Sequence, residues 1–169
     1  KQPLSMTRRY RRGLILTGVL CVLAMLTAAT LLFQRSYVER VDSYIAQICD
    51  GYAAAYKAQD TYDAMSFAAM LPEESARTLR FTLIDADGTV LFDSKTSALV
   101  YDRTNTLHAV MDSNLPNHAD RPEFRQAMEK GSASLTRESE TMQTETHYYA
   151  LRIDTPDGTQ VLRVGEDIA

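Results

Sequence analysis

Residues 13–33, GLILTGVLCVLAMLTAATLLF, contain no charged side chain. Twenty-one residues at a helical rise of about 1.5 Å each reach roughly 30 Å, the thickness of a bilayer's hydrocarbon core. The polar interruptions are mainly Thr17, Thr27 and Thr30, whose hydroxyls can bond back to the carbonyls of their own helix. Ahead of the run stand Lys1, Arg8, Arg9, Arg11 and Arg12 with no acid among them. Basic residues beside a span stay on the cytoplasmic side, which predicts residues 1–12 inside and residues 34–169 outside. A cleaved secretory signal is the competing reading, with Ala28 and Ala29 near a cut site. Apolarity that continues through Leu31, Leu32 and Phe33 favours an anchor.

Beyond the span the chain is long enough for one domain with its own core. The whole chain is formally −4, and residues 34–169 carry 13 basic against 22 acidic side chains, a formal −9. That balance argues against nucleic acid as a partner. Cys21 lies in the span and Cys49 beyond it, so no disulfide is expected within the exterior domain; Cys49 is either free or paired with another chain. The chain starts with Lys and stops at Ala169 without a second span, and reads as a piece of a longer protein.

From Gln34 onward the chain becomes amphipathic. Val38, Val41, Ile45, Ile48, Tyr52 and Ala55 follow helical spacing, with Arg35, Glu39, Arg40, Asp42, Gln47 and Asp50 off the stripe. Such a stripe must be covered either by a sheet or by a copy of itself. In the second case Val41, Ile45, Ile48 and Tyr52 form a dimer helix with Cys49 at its flank. A second helix is expected over residues 60–71, capped by Asp60 or Thr61 and stopped by Pro72.

The period then changes. Arg80–Asp85 and residues 89–93 are β-branched and aromatic runs around Asp87-Gly88, a hairpin signal in which Gly88 supplies the positive φ. Residues 95–121 read as a long polar connection, with a short helix near His108 to Met111 as one option. Pro122–Lys130 is a helix stopped by Gly131, with Asp120 and Glu123 spaced as a capping box. Strands are expected at residues 134–139, 147–153 and 160–164, the last two joined by a Pro156-Asp157-Gly158 turn. The expected domain order is residues 1–12, a span at 13–33, helices at 34–79 and a sheet domain at 80–169. The sum is an α+β fold of PAS-like or Cache-like type: a five-stranded antiparallel sheet with its helices on one face and a long N-terminal helix continuous with the transmembrane helix.

No nucleophile elbow, metalloprotease helix or phosphate-cradling glycine loop is present, so no catalytic residue is assigned. His108, His118 and His147 lack ligand-type spacing, and no metal site is expected. Two readings stay open for NHADRPEF, residues 117–124. In the first, Asp120 caps the helix, Asn117 and His118 bond loop backbone, and Arg121 is fixed by an acid such as Asp93 or Glu138. In the second, Asn117, His118 and Arg121 line a ligand pocket, because a guanidinium suits carboxylate or phosphate. Arg137, Ser139 and Thr141 alternate on one strand face, as a solvated surface or as that pocket's floor.

RFTLIDADGTVLFDS (80–94), NHADRPEF (117–124), TRESET (136–141), HYYAL (147–151) and VLRV (161–164) occur in that order. Together they resemble the extracytoplasmic sensor region of phosphate-regulon-type sensor histidine kinases of Gram-positive bacteria. The resemblance implies a homodimeric receptor in the lipid bilayer, responding to an external stimulus it does not identify. It also implies a second span, a kinase region using ATP and Mg, and a response regulator as partner. Alternatives are the sensor of a chemoreceptor or cyclic-dinucleotide enzyme, and an anchored binding or adhesion module.

Overall fold

A computed structural model describes residues 4–101, 107–110, 115–138 and 144–168, with the backbone alone described at residues 4–7, 9, 98–101 and 107–110. The chain divides into two units, Lys1–Arg40 and Val41–Ala169. A single helix, α1 (Leu4–Lys57), contributes to both. It contains a stretch long and apolar enough to cross a membrane, with Leu14, Leu20, Leu26, Leu32 and Phe33 facing outward. The hydroxyls of Thr17, Thr27 and Thr30 donate to carbonyls three or four residues back, so the span's threonines are satisfied within the helix.

In the second unit, α1 is followed by α2 (Ala64–Met70) and α3 (Glu73–Thr78). The strands β1 (Arg80–Asp85), β2 (Val90–Asp93), β3 (Ala98–Tyr101) and β4 (Leu107–Val110) come next. After α4 (Pro122–Lys130) come β5 (Ser132–Glu138), β6 (Glu145–Thr155) and β7 (Gly158–Asp167). Five strands form an antiparallel sheet in the order β2-β1-β7-β6-β5, while β3 and β4 pair separately. The expected α+β, Cache-like arrangement is what the chain forms.

Three local expectations are corrected. Asp63, not Asp60 or Thr61, caps α2: its carboxylate accepts from the Ser66 amide while the Ser66 hydroxyl accepts from the Asp63 amide. Serine in the third helical position completes the box as well as glutamate would. Residues 107–110 are a strand rather than a helix, since the apolar residues on both sides of the intervening polar stretch pair as a ribbon. The helices, finally, cover both faces of the sheet. Alternation sends Phe81, Leu83, Leu162, Val164 and Ile153 to one side, against Val41, Ile45, Cys49, Ala53 and Tyr56 of α1 and Phe67 of α2. Ile84, Val161, Ala133 and Ala150 point the other way, onto Phe124 and Ala127 of α4.

The amphipathic stripe therefore lies on the chain's own sheet. Ile45 and Cys49 are fully buried, and Ile48 and Tyr52 are partly buried against the same core. Tyr52 meets Phe81 edge to face at 5.1 Å and donates to the Ser75 hydroxyl. The reading of Val41, Ile45, Ile48, Cys49 and Tyr52 as a dimer seam is corrected accordingly: a face covered by sheet is not available to a second copy. The Cys49 thiol donates to the Leu162 carbonyl at 3.6 Å, and burial, aided by the Asp50 charge, pushes its pKa up. Cys49 is expected to resist both mild oxidation and maleimide in the folded protein and to react fully in denaturant, which mass spectrometry would read.

A second tie joins α1 to the sheet. Asp42 accepts from the Ser134 hydroxyl and stands 3.0 Å from His147 Nε2, while His147 Nδ1 lies 2.7 Å from Thr136 Oγ1. His147 is 3 % exposed, so its polar atoms depend on these partners.

Candidate functional site

The site lies on the α4 face of the sheet and is built by alternation. Arg80 and Thr82 of β1, Asp93 of β2, Arg163 of β7 and Tyr148 of β6 are buried on this face of the sheet, with Arg137 of β5 half-buried. Neighbouring strands that are apolar on one face and carry buried Arg80, Thr82 and Arg163 on the other fit a protein layer above them, not open water. Two carboxylates hold the guanidiniums. Glu123, fully buried in the first turn of α4, accepts from Arg137 at 2.9 and 3.3 Å and from Arg163 at 2.9 Å. Burial works to raise its pKa, but the Arg137 hydrogen bond and the Arg163 charge outweigh burial and hold it below the usual range. Asp93 accepts from Arg80 Nε at 2.9 Å and from the Thr82 hydroxyl at 3.1 Å. The Tyr148 ring is flanked by Arg137 and Arg163, 4.6 and 4.9 Å from its centroid.

Residues 117–121 form the roof. The His118 amide donates to the Gly88 carbonyl at 2.7 Å, the Asn117 side chain donates to the Asp87 carbonyl, and Asn117 Oδ1 accepts from the Ala119 amide. Gly88 has φ 88°, and a Cβ there would come within 2.4 to 2.6 Å of Ala119 and Asn117. The turn thus needs glycine twice over, for its dihedral and for the loop seated on it.

Of the residues expected at the site, Arg137 pairs with Glu123, His118 lies within reach of the charges of Arg163, Arg121 and Arg80, and Asn117 fastens the loop to the β1–β2 turn. Ser139 and Thr141 lie outside the described residues. Asp120 does not cap α4. The cap position is Arg121, with no side-chain cap bond, and Asp120 is exposed at 3.9 Å from Arg121. Glu123, expected as the other half of that box, points into the arginine cluster instead. Asp93 is engaged by Arg80 rather than Arg121. Arg80, Arg163 and Tyr148 are site residues that the sequence alone did not single out. Alternation of charge with aliphatics along β1 and β7 was the available signal, and it reads equally well as a solvated face.

His118 is buried, with 6 % of its surface exposed. Desolvation, then the charges of Arg163, Arg121 and Arg80, lower its pKa from 6.5 to about 3. Between those values the unfolded chain takes up a proton that the folded chain refuses, so stability falls as pH drops through that window. The loss from this group between pH 6.5 and 5 is expected to be about 1–2 kcal/mol. Urea unfolding at both pH values, with His118→Gln as comparison, checks it: the variant should lose that part of the pH slope.

No family model matches the chain, and no curated protein matches it either. Among solved structures it is similar to the ligand-binding domain of the amino acid chemoreceptor PctC of Pseudomonas aeruginosa PAO1, determined with GABA. The TM-score is 0.52 at 13 % identity, over 78 % of this chain and 56 % of that one. The chain thus spans little more than half of that structure's length. At this identity the likeness is one of fold.

Proposed function

We propose that Val41–Ala169 is the extracytoplasmic sensing domain of a membrane-anchored receptor. The observation that carries this reading is the loop-roofed arginine cluster, built on the sheet of a fold shared with a chemoreceptor's ligand-binding domain. A buried, charge-rich face costs stability, and a domain needing only a core would do better with apolar side chains there. The anchor is residues 13–33, retained in the mature protein, with the basic residues 1–12 in the cytoplasm. Because α1 carries both the span and the segment packed on the sheet, a stimulus that favours one packing of that segment over another has a direct route to the span.

For the output we favour a sensor histidine kinase acting as a homodimer, with ATP and Mg used by its cytoplasmic region and a response regulator as partner. The support is the ordered set of motifs that resembles phosphate-regulon-type sensors. A chemoreceptor output fits the same domain, since a sensor fold does not fix what it controls. Two measurements test the reading. A membrane-impermeant thiol reagent should label a cysteine placed at exposed Asp157 in intact cells; protection there until lysis would overturn the orientation. The intact gene product in membranes should incorporate acid-labile phosphate from ATP on histidine; methyl-accepting glutamates instead would assign the chemoreceptor output.

A further inference from the structure

A cleft of about 250 Å³ opens beside the arginine cluster, lined by Arg77, Thr78, Arg80, Lys95, Thr146, Tyr148, Gly165 and Asp167. Its most constrained member is Arg80, 7 % exposed. Both Asp93 oxygens accept from Arg80 Nε, at 2.9 and 3.2 Å, and its terminal nitrogens Nη1 and Nη2 make no hydrogen bond among the described residues. The side chain is therefore fixed along one edge and leaves its outer fork unused, and that fork matches the two oxygens of a planar acid. Lys95 adds a second cation. Its ammonium donates to the Ala76 and Arg77 carbonyls, which pins it at the rim while one of its three donors stays available.

Tyr148 and Gly165 form the part of the lining that carries no charge. A Cβ on Gly165 would lie 2.9 Å from the Tyr148 ring, so glycine there leaves room for the ring beside β7. Asp167 also lines the cleft, accepting from the Thr144 and Thr146 hydroxyls. A second anionic group near it would be repelled. The volume falls below the roughly 300–1,000 Å³ of pockets for drug-sized ligands.

We propose that this cleft binds a small monocarboxylate, its carboxylate on the free fork of Arg80 and on Lys95 and its carbon end over Tyr148 and Gly165. The proposal rests on the sensing reading and names the ligand class for it. A divalent oxyanion such as inorganic phosphate is disfavoured by Asp167; with Arg80 and Lys95 both taken by the first carboxylate, the second group of a dicarboxylate would meet only the Arg77 guanidinium, which is exposed and shared with Glu73.

Isothermal titration of the full chain in detergent micelles tests this with acetate, propionate, butyrate, succinate and inorganic phosphate. A ligand of so few atoms should bind with a Kd of about 0.01–1 mM. A short monocarboxylate should bind about tenfold more tightly than phosphate or succinate, and Arg80→Lys should weaken it by at least about tenfold because an ammonium cannot replace the fork. Thermal unfolding without ligand establishes that each variant is folded. If Arg80→Lys is not, Lys95→Gln at the rim carries the test, with a loss of about threefold or more. The proposal is overturned if the folded parent binds no monocarboxylate, if phosphate binds as tightly, or if Kd is unchanged in the folded variants. Such results would leave the sensing reading standing, because that reading is decided separately by the labelling and phosphorylation measurements.

Discussion

Replacing Glu123 by alanine is expected to destabilise the sheet domain by about 3–5 kcal/mol, seen as a lower urea midpoint at unchanged slope. Glu123 is the shared counter-ion of Arg163, which is 2 % exposed, and of Arg137. Its removal strips a buried guanidinium of its counter-ion, and a guanidinium does not escape by losing its proton. Glu123→Gln keeps the shape and one acceptor, so it should lose less. A parent-like midpoint for Glu123→Ala would mean that the cluster is hydrated and that Glu123 does not organise it. Arg121→Ala, by contrast, leaves the Glu123 ion pairs in place and should cost less than Glu123→Ala.

Ile45→Asp should abolish folding of the same domain. Ile45 is fully buried between α1 and the sheet, packed with Phe81, Leu83, Leu162 and Val164 in one core. The substitution removes a side chain worth about 2–5 kcal/mol on truncation and adds an unpaired buried carboxylate on top. Together these approach or exceed the typical stability of a small domain, roughly 5–15 kcal/mol. Loss of near-ultraviolet circular dichroism would report it. A folded Ile45→Asp protein with altered association would instead restore the dimer-seam reading of the stripe.

Most of the fold was legible because its signals are local. The span needed only a run of uncharged residues, the β1–β2 hairpin only Asp87-Gly88, and α4 only Pro122 and Gly131. The partner of the α1 stripe was not legible: a helix face spaced for burial looks the same whether sheet or a second copy covers it. The site was half legible. Asn117, His118, Arg121 and Arg137 were singled out, yet Arg80, Tyr148 and Arg163 were missed because they meet only when distant strands pair in register. Thr82 and Arg163, 81 residues apart, are one such pair. Glu123 shows the limit most clearly. Its spacing from Asp120 satisfies a local capping rule, while its burial beside two arginines is a tertiary fact that overrides it.

The strand order has a bearing on biogenesis. β7, the last strand, lies in the middle of the sheet, hydrogen-bonded to β1 on one side and β6 on the other. Until residues 158–167 leave the ribosome, β1 has no neighbour but β2 and the two halves of the sheet cannot join. Closing that pairing also carries a long loop-entropy cost, which slows folding. The sheet of this domain therefore cannot close before residues 158–167 have been made, however early its first hairpin forms.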